Sequence, residues 1–211
     1  MKAIRCVSPM SPIVSIVDDD PAFLRSLSRL LKEDGWIVET YESAEAFLAS
    51  WNPQAPGCLL LDVTLPGLDG LELQHRLAGA GLALPIVFLT GHGDIPMSVR
   101  AIKAGAADFL TKPVSAEALL ASVRAAIASD AATRQGRADL AQLEQRLATL
   151  TPREREVLAA VAAGRLNKQI AADLGIVEQT VKFHRARIME RMQARTAAEL
   201  MLIAATLGIG R

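Results

Sequence analysis

Four apolar residues in succession, Cys58-Leu59-Leu60-Leu61, stand between the breaker pair Pro56-Gly57 and a single carboxylate, Asp62, and the chain breaks again at Pro66-Gly67. A run this short and this uniformly apolar predicts a strand buried on both faces. Such a strand needs layers on both sides of its sheet, and in parallel sheets helices supply them. The carboxylate at its end carries a second meaning, because ligands of open α/β sheets bind outside the carboxyl ends of strands. An Asp in that place can also do no more than cap the following turn. What the other strand ends carry decides between the two.

The rest of the front half repeats the pattern. Ile13-Val14-Ser15-Ile16-Val17 runs into Asp18-Asp19-Asp20, and Pro21 occupies the favoured first position of a helix. Leu24, Leu27, Leu30 and Leu31 share one face of that helix, which ends near Gly35. A second strand is predicted over 36–41, followed by a short helix capped by Ser43 and carrying Phe47 and Leu48. Beyond the pivotal run come a helix near 71–77, a strand at Pro85-Ile86-Val87-Phe88-Leu89-Thr90 and a helix over 95–104. Asp108-Phe109-Leu110 then makes a fifth strand closing on Lys112-Pro113, and Ser115 caps a fifth helix. Five alternations of strand and helix define an α/β class, a doubly wound five-stranded parallel sheet.

The back half is different. Residues 131–150 read as a charged, Ala-rich helix with Leu140, Leu143 and Leu147 at helical spacing, either a continuation of the fifth helix or a linker helix, and Gly136 argues for a break or bend between the two. Past Leu150 no strand pattern remains. Thr151-Pro152 opens a set of four short helices, near 152–162, 167–174, 178–192 and 196–207, parted by Gly164 and Gly175. The expected organisation is a flexible tail over 1–12, an α/β domain over 13–130, a helical linker over 131–148 and a small all-α four-helix domain over 149–211.

Composition narrows the function. Apolar residues make up 51% of the chain and aromatics only 4%, so the cores are aliphatic. No apolar run approaches the roughly 18 residues of a membrane span. The opening 1–12 lacks the apolar stretch of a secretory signal. Cys6 and Cys58 make neither a disulfide framework nor a metal site, so a cytoplasmic protein is expected. The net charge of zero conceals a division: 10 basic against 15 acidic residues in 1–130, 3 against 2 in 131–148, and 10 against 6 in 149–211. An acidic front and a basic back point to different partners, nucleic acid for the second.

If the strands are parallel, Asp18, Asp19, Asp62, Thr90 and Lys112 converge on one edge of the sheet. Three carboxylates cannot share a site fully ionised without a cation, because like charges push a proton onto one of them. Mg²⁺ resolves the conflict, keeps waters and accepts a phosphate. Lys112 adds a point charge and Thr90 a hydroxyl. The set suits a carboxylate that takes up a phosphoryl group while metal and lysine absorb charge.

These residues, with Pro66-Gly67, Thr90-Gly91 and Phe109 beside Lys112-Pro113, resemble the receiver domain of two-component response regulators, a flavodoxin-like fold, over about 12–130. The resemblance implies Asp62 as phosphoacceptor, Asp19 as a direct Mg²⁺ ligand, Asp18 as a water-mediated one, and the Thr64 backbone carbonyl as a further ligand. It implies Thr90 and Phe109 as the switch pair and Lys112 as the phosphate contact, with a cis peptide before Pro113. Asp20 reads as a cap for the first helix, His75 as a surface residue, and His92 as a neighbour of the site that either tunes phosphoryl lifetime or is simply solvated.

In the basic end, helices 167–174 and 178–192 are joined by Gly175-Ile176-Val177, the short turn of a helix-turn-helix. Ile170, Leu174, Ile176, Val181 and Ile188 have the spacing to seal the pair. Gln179, Lys182, Phe183, Ala186 and Glu190 then face outward, with Arg185 and Arg187 on the flanks, a face suited to a major groove. Leu150-Thr151-Pro152-Arg153-Glu154, Gly164, Asn167-Lys168, Ile170-Ala171, Leu174, Ile176 and Thr180-Val181-Lys182 with His184 resemble the LuxR-type DNA-binding domain. The resemblance adds Lys168, Thr180 and His184 to the DNA-contacting set. Where that family usually has Ser, this chain has Val177, so the second helix lacks a side-chain N-cap.

Receiver plus LuxR-type domain is the FixJ/NarL arrangement, and the Thr90-Gly91-His92-Gly93-Asp94 loop leans to the FixJ side. It implies a transcriptional regulator, expected to be an activator and not an enzyme. The resemblance implies phosphorylation by a sensor histidine kinase, binding to promoter DNA and homodimerisation when phosphorylated, with RNA polymerase as a further partner and no membrane. The expected dimer face is the fourth helix and fifth strand, where Arg100, Lys103 and Asp108 can pair across an axis. One alternative is a DNA-binding regulator free of phosphate control, against which the intact acidic set argues. Another is an Mg²⁺-dependent phosphohydrolase of the haloacid-dehalogenase kind, but that chemistry wants Asp-x-Asp-x-Thr/Val, and here Asp18-x-Asp20 is followed by Ala22. No Gly-x-Gly-x-x-Gly follows the first strand, which excludes a dinucleotide site.

Overall fold

The computed structural model describes residues 11–91 and 95–210. Most of the 1–12 tail, Cys6 included, and His92 lie outside the described residues. The chain divides into two compact units, the first ending at Thr133 and the second beginning at Arg134.

In the first unit the elements follow in the expected order: β1 (Ile13–Val17), α1 (Pro21–Glu33), β2 (Ile37–Tyr41), α2 (Ala44–Ser50), β3 (Gly57–Asp62), α3 (Gly70–Gly79), β4 (Ile86–Thr90), α4 (Ile95–Lys103), β5 (Asp108–Thr111) and α5, which starts at Ala116. Every strand pair is parallel and the sheet order is β2-β1-β3-β4-β5. The order reverses between β1 and β3, so the crevice of the sheet opens at their carboxyl ends. Register then fixes the neighbours. Val17 lies opposite Leu61, which makes Asp18 and Asp62 the next residues on adjacent strands. Thr90 lies opposite Thr111, which places Lys112 one step beyond.

All six residues of β3 are buried. Leu59 and Leu61 join Phe47, Leu73, Leu77 and Phe88 on one face of the sheet. Cys58 and Leu60 join Val14, Ile16, Leu31, Leu119 and Val123 on the other. This division is why the run is apolar at every position instead of at alternate ones; each such leucine contributes about 1.5–3 kcal/mol. Gly57 opens the strand because a Cβ there would run into the Ile13 backbone carbonyl. Its N–H donates to the buried Asp130 carboxylate of α5 (2.9 Å), which ties that helix to the strand's start.

The break expected at Gly136 does not occur: α5 is one helix from Ala116 to Ala148. A mid-helix glycine costs about 1 kcal/mol relative to alanine, too little to interrupt a helix flanked by good helix formers. Asp108, expected at the dimer face, is already bonded within the chain. Its carboxylate accepts the Phe109 N–H at 2.8 Å and is bonded by the Ser122 hydroxyl.

The second unit contains the last part of α5 and four helices, α6 (Pro152–Ala162), α7 (Asn167–Leu174), α8 (Glu178–Met192) and α9 (Ala197–Thr206). Val157, Leu158, Val161, Ile170, Val181, Ile188, Met192, Leu200 and Ala204 form its core, with Leu174 and Ile176 packed against it. Thr151 and Glu154 make a reciprocal capping box at the start of α6. Among the described residues no helix is long and apolar enough to cross a membrane.

Candidate metal centre and nucleic-acid interface

At the crevice the carboxylates of Asp18, Asp19 and Asp62 each offer an oxygen within 4.8 Å of the others. Asp18 and Asp62 are buried, and Asp19 opens to solvent. Lys112 reaches across from the end of β5, its Nζ 2.5 Å from Asp18 Oδ2 and 2.6 Å from Asp62 Oδ2. The second oxygens are held by backbone: Asp18 Oδ1 accepts the Asp20 N–H and Asp62 Oδ1 the Thr64 N–H, both at 3.0 Å. Asp20 itself caps α1 by accepting the Ala22 N–H, as read from the sequence.

Burial pushes the Asp18 carboxyl above its usual range despite the lysine beside it. Burial acts to lower the Lys112 pKa, but the hydrogen bonds and charges of the two carboxylates outweigh it and the ammonium is held more tightly than usual. One ammonium against three carboxylates leaves the cluster short of positive charge. Its donors are all hard carboxylate oxygens, one of them solvent-facing, a set that fits a hard divalent cation keeping part of its water.

Thr90 is buried at the end of β4 and Phe109 is half-buried on β5, its ring 6.2 Å from that of Phe88. Thr64 is exposed at the start of the β3–α3 connection. The Lys112–Pro113 peptide is cis. Sequence reading did not single out two neighbours. The Phe23 ring lies 4.2 Å from Lys112 Nζ, a cation–π contact, and Glu45 of α2 accepts the Leu68 N–H of the β3–α3 connection at 3.1 Å. Neither carries a local signal, because each acts across a fold distant in sequence. His75 is exposed, as expected.

In the second unit α7 and α8 form the expected helix-turn-helix around Gly175, whose backbone is left-handed at φ 64°. Val181, Ile188 and Met192 of α8 are buried, while Gln179, Lys182, Phe183, Ala186, Arg187 and Glu190 are exposed. Phe183 is 54% exposed and Arg187 stacks on its ring at 4.7 Å, so the aromatic belongs to the outward face and not to the core. Lys182 lies 3.4 Å from Glu178. Lys168 is exposed, and Thr180 and His184 are half-covered. Arg185 is the most committed of the set, donating to Asn167 Oδ1 at 2.7 Å across the two helices.

Val177 precedes α8 with no side-chain cap and is 68% exposed. Ile176, one residue earlier, packs with Val181 in the core instead. Val177→Ser is therefore expected to stabilise the second unit by about 1 kcal/mol through a new bond to the helix's free amides. Urea denaturation of the full chain checks this; an unchanged or lower midpoint for that unit refutes it.

The two units match two families: residues 14–124 the response regulator receiver domain, and residues 148–204 the bacterial regulatory proteins of the luxR family. The chain belongs to the response regulators, as a phosphorylation-dependent DNA-binding transcriptional regulator of the FixJ type. It is similar to nodulation protein W of Bradyrhizobium diazoefficiens, 47% identical over 93% of this chain and 87% of the relative. It is also similar to the transcriptional regulatory protein FixJ of Azorhizobium caulinodans, 43% identical over 95% of each chain. Among solved structures, the response regulator StyR superposes with a TM-score of 0.82, at 45% identity, over 92% of this chain and 98% of that one. That is the regulator of the sequence reading and not the phosphohydrolase.

Proposed function

We propose that Asp62 is the phosphoacceptor, receiving its phosphoryl group from a sensor histidine kinase, and that the second unit then binds promoter DNA as half of a homodimer. The observation that carries this is the meeting of Asp18, Asp19, Asp62 and Lys112 at the carboxyl edge of the sheet. Asp19, Asp62 and the Thr64 carbonyl would hold Mg²⁺ directly, and Asp18 through water. The bound ion supplies positive charge to the phosphoryl oxygens. Lys112 exchanges its bond to Asp62 for one to the phosphoryl group. Thr90 donates its hydroxyl to the same group, and the space this leaves lets Phe109 turn inward and reshape the face formed by α4 and β5. Arg100 and Lys103 of α4 and Asp108 of β5 are the charges for pairing across the dimer. The chain is thus the substrate of a kinase and not itself an enzyme. We take the receiver as 13–130, the linker helix as 131–148 and the DNA-binding domain as 149–211. The setting is the cytoplasm, and the output is activation through contact with RNA polymerase.

Dimerisation is what gives phosphorylation its leverage. A domain with 10 basic and 6 acidic residues neutralises few phosphates, so a single copy binds weakly at physiological salt, whereas two copies on a two-fold site gain by avidity. Sedimentation with and without acetyl phosphate is expected to show a monomer becoming a dimer. Thr90→Ala is expected to stay phosphorylated yet monomeric. A phosphorylated wild type that remains monomeric while binding its operator tightly refutes the coupling.

For DNA reading, Lys182 and Gln179 face base edges and Phe183 a thymine methyl, with Thr180, His184, Arg187 and Lys168 on the flanking backbone. Phe183→Ala is expected to relax preference at one base pair by about 1–3 kcal/mol, measured by competition among single-base operator variants. Arg185→Ala is expected to weaken all sequences alike, both by losing a phosphate contact and by freeing Asn167. An unchanged preference in Phe183→Ala removes the phenylalanine from the readout.

A further inference from the structure

The β3–α3 connection, from Val63 to Asp69, carries Thr64, the backbone ligand of the proposed metal site. Its hydrophobic side chains Val63, Leu65 and Leu68 are buried in one core cluster, which fixes the segment in depth. Apolar packing is non-directional and does not fix which way a carbonyl points. Hydrogen bonds do. Backbone bonds pin Val63, whose N–H donates to the Leu89 carbonyl and whose carbonyl accepts the Gly70 N–H. Beyond it two side-chain bonds hold amides of the stretch, the Thr64 N–H to Asp62 Oδ1 and the Leu68 N–H to Glu45 Oε1. The first uses an oxygen of the very group that must bind metal and phosphorus, so it competes with the chemistry. The second comes from α2, which supplies none of the proposed ligands, and is independent of the chemistry.

The surroundings of Glu45 fit this use. A Cβ at Gly67 would lie 3.0 Å from Glu45 Oε1, and Gly67 has φ 79°, so a glycine leaves the carboxylate room at the bend. Its own backbone N–H, then the Leu68 N–H, with lesser help from Ser43 and Arg76, hold the Glu45 carboxyl below its usual range. It is therefore an ionised acceptor throughout the neutral range.

We propose that Glu45 is a positioning residue: by holding the Leu68 N–H it orients the β3–α3 connection so that the Thr64 carbonyl faces the metal site. This rests on the reading of Thr64 as a ligand given above. Glu45 is exposed at the first turn of α2, so its substitution is expected to leave the buried core unchanged.

The test uses the full chain with Glu45→Ala and Glu45→Gln, MgCl₂ as the probe, and three readouts: amide exchange of Leu68 without metal, Mg²⁺ affinity from amide NMR shifts, and acetyl phosphate labelling at saturating Mg²⁺. Outer groups that orient metal ligands typically govern affinity about tenfold or more. Glu45→Ala is expected to speed Leu68 exchange and weaken Mg²⁺ by about tenfold, with labelling at saturation unchanged. Glu45→Gln, which keeps an acceptor oxygen but no charge, is expected to restore most of both. Unchanged Mg²⁺ affinity in Glu45→Ala overturns the proposal. So does equal weakening in Glu45→Gln, which would assign the effect to charge. If the wild-type Mg²⁺ shifts do not centre on Asp18, Asp19 and Asp62, the metal-site reading itself fails, a result distinct from either.

Discussion

Asn in place of Asp62 is expected to leave the protein wholly unphosphorylated. Intact-mass analysis after acetyl phosphate and Mg²⁺ should show one added phosphoryl group on the wild type and none on Asp62→Asn, and EDTA should abolish labelling of the wild type. The variant keeps the shape of the side chain and removes the charged nucleophile. It also removes a carboxylate whose charge raises the Asp18 pKa, so the remaining acids are left with less mutual repulsion. Lys112 keeps Asp18 as its partner. The variant is therefore expected to fold as well as the wild type, and its loss is a loss of chemistry alone. Label that survives in Asp62→Asn would move the acceptor elsewhere, with the exposed carboxylate of Asp19 first in line.

Removing Glu154 is expected to have the largest effect on stability. Its side chain is only 2% exposed, yet it carries a charge. One oxygen accepts the Thr151 N–H at 2.9 Å and the Thr151 hydroxyl at 3.0 Å, and Arg191 of α8 lies 3.2 Å away. Arg191 also donates to the Thr149 carbonyl, so the group ties the start of α6 to the end of α8. Loss of the capping box and of the charge-assisted bonds that the buried Glu154 makes to Thr151 and Arg191 puts the cost of Glu154→Ala at about 2–4 kcal/mol. Denaturation of the full chain should show this in the second unit's transition with the first unit unmoved; a shift under 1 kcal/mol would refute it.

The same carboxylate gives that unit an acid limb. Burial acts to raise its pKa, but the Thr151 bonds and the charges of Arg191 and Arg187 outweigh it and hold the group below 4.5. A carboxyl depressed in the folded state adds stability that is fully present above the unfolded value and lost as pH falls through the folded one. Wild-type stability in the second unit is thus expected to fall with pH below about 4.5. Glu154→Gln should lose part of that dependence, and an identical slope in both proteins would show that Glu154 does not carry it.

Local pattern determined much of this protein. The uniformly apolar β3, the Pro21 and Pro152 helix starts, the caps at Ser43 and Thr151 and the turn at Gly175 depend on interactions within a few residues, and each stands where it was read. The acidic cluster was legible too, though only because parallel pairing brings the ends of β1 and β3 to one edge. Of the two readings left open at Gly136 the continuous helix holds, because a glycine's weak local penalty yields to the helix-forming residues around it.

Tertiary structure alone decided the rest. That Lys112 bridges Asp18 and Asp62, that Asp108 is taken by Ser122, and that Arg185 is tied to Asn167 depends on which chain segments meet. The burial of Glu154 beside Arg191 and the hold of Glu45 on Leu68 are of the same kind. The physical reason is common to all five. A charged side chain finds its partner by distance in space, and the spacing of residues along a chain encodes that distance only within a helix turn or a strand pair.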